Sequence, residues 1–417
     1  MRRLMSLMAC VAVLAGCTST TTEPALLRTP PMGWNSWNSG VPLTERTVEQ
    51  TIDAMVSSGM RDAGYRYVNL DAGWAAPTRD GEGNLRADPD RFPHGIAALA
   101  RYAHDRGMFL GLYQSPFNQA CGQDPRIGSA GHEAADARAF ADWGVDYLKY
   151  DWCRLQAGHD EQVKYFTAMR DALRASGRRI AYSINPNSSG DPSAGSEYDW
   201  SHIADMSRDA IDLVPAWGDD GLWSEGLAGV SQAFSAAGPT ASRSGPAHVN
   251  DPDMLVVGIP WLAFASGHPT MALGPRRPDL TDAEQRAHFS LWAMLAAPLL
   301  AGNDIRSMTD ETRDILTNRD VIAVDQDPLL VQGGPLPGDP RVIVKRLADG
   351  AVAMALFNPD AEPASIRADA SSSGLRQANC YAVRDLWAHA DTTTTGDVER
   401  TVPGHGVAML RVTPGCP

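Results

Sequence analysis

The sequence has no block of basic residues. Its 36 lysines and arginines are outnumbered by 50 aspartates and glutamates, giving a formal charge of −14. That balance argues against nucleic acid or an anionic membrane surface as a partner and fits a neutral substrate better. There is no Cys-x-x-Cys pair and no histidine cluster at zinc spacing, so neither a metal nor another cofactor is expected. The apolar stretch near the N-terminus is too short to span a bilayer.

What that N-terminus does hold is the pattern of an export signal. MRRLMSLMACVAVLAGCTST sets two arginines before a brief apolar run that ends in small residues. Leu14-Ala15-Gly16-Cys17 resembles a bacterial lipobox, so residues 1–16 read as a lipoprotein signal peptide and Cys17 as the lipidated mature terminus. Residues 17–28, rich in Thr and Ser, read as a tether. The chain is expected to be exported and lipid-anchored in a bacterial envelope, facing the periplasm or the cell surface, and to meet membrane only through that lipid. Cys121, Cys153, Cys380 and Cys416 remain. An even number in an exported chain invites disulfides, and four cysteines allow three connectivities.

From Thr29 to about residue 325, short β-rich runs alternate with amphipathic ones. Tyr65 to Leu70, Met108 to Tyr113, Val145 to Tyr150 and Arg179 to Ser183 read as strands. Val48, Ile52, Met55 and Val56 keep helical spacing and stop at Gly59, as Phe166, Met169 and Leu173 do before Gly177. Thr281-x-x-Glu284 is a capping box. The alternation predicts a closed (β/α)8 barrel over residues 29–325. Beyond it helical periodicity stops. Arg341 to Arg346 and Val352 to Phe357, joined by Asp349-Gly350, read as a hairpin in an antiparallel β-sandwich domain over residues 326–417.

In a barrel of this kind the chemistry sits at the C-terminal ends of the strands. Those ends supply Trp34, Asp71, Tyr113, Lys149 with Asp151, Asn185, Arg208 with Asp212, and Asp251 with Asp253. Lys149 and Asp151 stand two apart in 149-KYDWC-153, so they share one face of their strand. Aromatics that cover a sugar ring, charges that bind hydroxyls and paired carboxyls at a glycosidic bond are the equipment of sugar chemistry. Singly, each has a plainer reading: an aspartate capping a helix, a tryptophan in the core, Lys149 as the structural partner of Asp151.

Five segments together resemble glycoside hydrolase family 27, the α-galactosidases and α-N-acetylgalactosaminidases. They are 29-TPPMGWNSWN-38, 140-FADWGVDYLKYDWC-153, 208-RDAIDLVPAW-217, 245-GPAHVNDPDMLVVG-258, and 292-WAMLAAPLLAGNDIR-306 running on to 321-VIAVDQDP-328. The resemblance implies a retaining exo-hydrolase that removes terminal α-D-galactosyl residues from oligo- or polysaccharides. By matching positions, Asp151 would be the nucleophile and Asp212 the general acid/base, with Asp209 a disfavoured rival. Trp34 would pack on the sugar. Asp71, Tyr113, Lys149, Asn185, Arg208 and Asp253 would bind hydroxyls, Met254 would border the pocket, and Trp152 would help select the sugar. The resemblance also pairs Cys121 with Cys153, which leaves Cys380 and Cys416. Lys149 is expected to hold Asp151 ionised, and an apolar setting from Ile211 and Leu213 to raise Asp212.

The sequence departs from the family pattern in the residues that read the sugar. The second of two adjacent aspartates after strand two is here Ala72, a glutamate position is Asn185, and Trp152 stands where a small residue is usual. Losing one charged hydrogen-bond partner costs about 1.5 to 3 kcal/mol. β-L-Arabinopyranosides and α-glucans are therefore competing substrates. A catalytically inactive carbohydrate-binding lipoprotein is the alternative from another class. Ile259 to Leu280 reads as an insertion able to roof the pocket.

Overall fold

The computed structural model describes residues 27–121, 127–153, 158–186, 198–218, 221–222, 226–271 and 273–416. The expected signal peptide, Cys17 and most of the expected tether lie outside them. Eight parallel strands form one sheet: β1 (Met32–Asn35), β2 (Tyr67–Leu70), β3 (Phe109–Gln114), β4 (Tyr147–Asp151), β5 (Ala181–Asn185), β6 (Met206–Arg208), β7 (Val249–Asp251) and β8 (Leu299–Ala301). β8 pairs with β1, and each strand up to β7 pairs with its predecessor. Leu255, just past β7, closes the ring by a parallel bridge to Ala301. The expected barrel is therefore present.

The helices start and stop where local chemistry requires. Glu45–Ser57 is capped by Thr44 and ends before Gly59, whose φ of 85° suits a residue without a Cβ. His159–Ala175 buries Phe166, Met169 and Leu173 against the sheet. Asp282–Leu295 opens with the expected capping box, Thr281 with Glu284. Strand bounds differ from the sequence reading by a residue or two, because pairing partners rather than hydrophobicity set where a ladder starts.

A six-stranded antiparallel sheet follows, in spatial order β9 (Gly334–Leu336), β10 (Asp339–Arg346), β11 (Val352–Phe357), β16 (Val407–Pro414), β13 (Tyr381–Asp385), β14 (Ala390–Thr394). A two-stranded ladder, β12 (Ala364–Asp369) with β15 (Asp397–Val402), covers one face. β11 is buried on both sides. Its Val352, Met354 and Leu356 enter the sandwich core, while Ala353, Ala355 and Phe357 enter the barrel's core. Strand alternation thus lets β11 serve both domains, and Ile343 of β10 and Met409 of β16 also enter the barrel's core. The disulfide implied by the resemblance, Cys121 with Cys153, is formed, and the two cysteines it left over, Cys380 and Cys416, are bonded to each other.

Candidate active site

Alternation along β4 sends Tyr147, Lys149 and Asp151 into the barrel and Leu148, Tyr150 and Trp152 toward the surrounding helices. Trp152 is fully buried among Phe117, Tyr165 and Phe166, at ring separations of 4.9, 5.8 and 5.9 Å. It does not line the pocket, which corrects its expected role in sugar selection: one step along a strand reverses the direction of a side chain. Trp34 is corrected for the same reason. It leaves β1 on the outer face, fully buried, and its Nε1 donates to the Asn303 carbonyl at 2.9 Å. Among the described residues the tryptophan at the pocket is Trp37, which follows the end of β1 in a short 3-10 turn.

Lys149 does not pair with Asp151. Its Nζ donates to Asp71 Oδ2 at 2.7 Å, and Asp71 also accepts from Asn35 Nδ2 at 3.0 Å and from the Ala72 amide at 2.8 Å. Burial works to lower the Lys149 pKa, but Asp71 and then Asp151 outweigh it and push it up, so this ammonium stays charged.

Asp151 Oδ2 accepts from the Tyr113 hydroxyl at 2.9 Å, while Oδ1 has no partner among the described residues. Burial is the largest influence on this carboxyl and raises it to about 6, with Lys149 and the Tyr113 bond opposing and Asp212 and Asp71 adding. The expectation that Lys149 would hold it low is therefore reversed, since desolvation exceeds one ammonium whose nearest partner is another carboxylate.

Arg208 organises the opposite wall from a position buried at the end of β6. Its Nη1 meets Asp253 Oδ1 at 3.1 Å, and its Nη2 donates to Asp212 Oδ1 at 3.2 Å and to the Ala210 carbonyl at 2.9 Å. Asp212 is 45% exposed against 5% for Arg208, so it sits at the mouth beside a cation rather than in the apolar setting expected from Ile211 and Leu213. Asp209 faces away from the pocket, where its Oδ2 accepts from Thr240 Oγ1 at 2.5 Å.

Asp253 holds φ at 86°, a costly value for a residue with a side chain. Four hydrogen bonds fix it: the Leu213 and Met254 amides donate to its carboxylate, its own amide donates to Asp251, and its carbonyl accepts from Trp292 Nε1. Asp251, below the pocket floor, is raised by burial to about 7.

These groups surround a cavity of about 160 Å3 lined by Asp71, Ala72, Tyr113, Lys149, Asp151, Asn185, Arg208, Asp212, Asp253 and Met254. The Cys121–Cys153 bridge lies at its edge. Trp37, Asn38, Phe264 and Met271 also line it and were not singled out from the sequence as site residues. Phe264 and Met271 belong to the 259–280 segment, whose His268 ring lies 5.4 Å from that of Trp37, so the segment does border the pocket. No sequence signal marked Trp37: Trp152 also stands just past a strand end, and it carries the strand's alternation on to the outer face.

A family model described as alpha galactosidase A matches residues 29–327, and one described as alpha galactosidase C-terminal beta sandwich domain matches residues 337–412. The α-galactosidase 3 of Arabidopsis thaliana is 38% identical over 408 residues, covering 93% of this chain and 83% of its own length. The α-galactosidase A of Cellvibrio japonicus is 36% identical over 407 residues, covering 93% of each. Among solved structures, α-galactosidase I from Mortierella vinacea superposes with a TM-score of 0.83 at 29% identity, over 94% of this chain and 99% of that one.

Proposed function

The chain belongs to the α-galactosidase family, glycoside hydrolase family 27, and is a glycosidase; from that premise we propose that it removes terminal α-D-galactosyl residues by a retaining double displacement. Asp151 is the nucleophile and Asp212 the general acid/base. The observation that carries this reading is the contrast between two carboxyls on one pocket: Asp151 inside with Oδ1 unengaged, Asp212 at the mouth where a leaving group departs.

Tyr113 holds Oδ2 and so directs Oδ1 at the anomeric carbon. The Asp212 charge is among the influences that raise Asp151. A proton on Asp212 therefore favours ionised Asp151, and that combination is the one the first displacement needs. Asp212 then gives its proton to the leaving oxygen and, in the second step, takes one from the water that releases the sugar. Lys149 with Asp71, and Arg208 with Asp253, present fixed donors and acceptors to hydroxyls.

A second substrate reading rests on Ala72. Its methyl lines the pocket beside Asp71, which favours a galactose-like sugar with fewer polar groups to satisfy, such as a β-L-arabinopyranoside. Assaying p-nitrophenyl α-D-galactoside, β-L-arabinopyranoside, α-D-glucoside and α-N-acetylgalactosaminide side by side, with Asp151→Asn as control, decides. Preference for the first is expected; preference for another overturns the substrate, and full turnover by Asp151→Asn overturns the mechanism.

We also read the protein as exported and lipid-anchored at Cys17 in a bacterial envelope. The lipobox-like Leu14-Ala15-Gly16-Cys17 and two disulfides, which persist in oxidising compartments, support this. Mass analysis of the mature N-terminus tests it: an unmodified residue 17 would refute the anchor.

A further inference from the structure

The far end of the barrel gathers arginines that are scattered through the sequence. Arg66 immediately precedes β2, Arg106 lies just before β3, and Arg178 and Arg179 precede β5. Arg174 closes the helix His159–Ala175, and Arg28 leads into β1. All of these lie at the N-terminal ends of the strands, opposite the pocket. Arg28, Arg66, Arg174 and Arg179 are exposed. Several nearby acids already have local partners: Asp146 serves Arg178 and His104, Asp53 serves Arg106, and Asp171 serves Arg170. Asp205 accepts from the Tyr182 amide and also lies within electrostatic reach of Arg174 and Arg179. Arg170, Arg174, Arg178 and Arg179 line a cleft of about 610 Å3.

Apolar groups share this end. Phe109, the first residue of β3, is 42% exposed, with its ring 5.2 Å from Tyr67. Leu27 is buried against Tyr147, Ala181, Met206 and Val249, at the starts of β4 to β7. The chain therefore enters the barrel at this end, and Cys17 precedes Leu27 by ten residues, which span at most about 35 Å.

We propose that this end of the barrel docks on an anionic phospholipid surface, with arginines on headgroup phosphates, Phe109 in the interface, and the sugar pocket facing away. The absence of a basic run in the sequence does not exclude it, because a barrel collects single arginines from many strand starts onto one face. The orientation rests on the Cys17 anchor, but the surface chemistry does not, so the test uses a chain without the lipid.

The chain from Thr18 onward, exported on a cleavable signal with its disulfides formed, is sedimented with phosphatidylcholine vesicles with and without phosphatidylglycerol. Binding only to the anionic vesicles, released by molar salt, is expected. Each arginine is worth on the order of fivefold in partitioning, so Arg28→Glu with Arg174→Glu should lower it at least about tenfold. Phe109→Ser should lower it with an unchanged salt response. Glycoside hydrolysis in solution should be unaffected by any of these changes. Equal binding to both vesicles, or an unchanged partition in the double variant, overturns the proposal. So does self-association through this face without vesicle binding, which would assign it to a second copy. The vesicle readouts do not use sugar turnover, so failure of the hydrolase reading would leave them intact.

Discussion

At the C-terminal end of β4, Lys149 and Asp151 face inward among Asp71, Tyr113 and Asp212. At its N-terminal end Tyr147 faces inward among Leu27, Ala181 and Met206. The same inward face thus changes from apolar packing to charge within a few residues. Where charges are buried, stability depends on every one having a partner, and removing one partner leaves the other expensive. Where the filling is apolar, substitution costs only contacts and cavity volume. One end of the barrel is therefore set up for chemistry and the other for holding the strands together.

The sharpest test of that contrast is Asp151→Asn, expected to lower kcat/KM by at least about 10^4-fold. Because burial raises the folded Asp151 carboxyl from 3.8 to about 6, the fold holds a proton in that window that the unfolded chain has lost. The group's contribution to stability falls as pH rises through it. The asparagine variant should thus melt at or above the parent at pH 7, with the advantage gone near pH 4. A comparable activity loss in Tyr147→Phe would break the comparison.

Trp152→Ala should cost about 3–5 kcal/mol in denaturant unfolding while leaving the ranking of sugars unchanged. A changed ranking would return Trp152 to the pocket. Replacing Cys121 and Cys153 together by serine should cost about 2–4 kcal/mol, read as a lower urea midpoint. A chain that unfolds at the parent's midpoint would show that the bridge braces nothing.

The smallest effect expected is on the pH profile. kcat/KM should fall about tenfold per pH unit below about pH 6, as Asp151 takes up its proton. Tyr113→Phe removes a bond that stabilises the ionised form, so it should move this limb upward, and an unmoved limb would separate Tyr113 from the nucleophile.

The alternation of strands and helices made the barrel legible, and Asp349-Gly350 marked the hairpin between β10 and β11. The motif residues Asp71, Tyr113, Lys149, Asp151, Asn185, Arg208, Asp212, Asp253 and Met254 all reach one pocket. The three tryptophans were not separable in this way. Trp34 lies within a strand and Trp152 one residue past one, and both take the outer face, while Trp37 lies two residues past one and takes the mouth. Residue type says nothing about that difference, which depends on where the ladder begins. Phe264 and Met271 were hidden for another reason, since they come from a segment whose path over the barrel is set by contacts such as Trp37 with His268.

By itself the sequence determined the order of elements, the identity of the inward charges and the cysteines available for bridging, because these follow from local periodicity and from the residue types a chemistry requires. The tertiary structure alone decided that Lys149 belongs to Asp71, that burial outweighs it at Asp151, and that isolated arginines meet on one face. Those outcomes depend on distances between strands far apart in the chain and on how much water each group loses, and neither quantity is written in neighbouring residues.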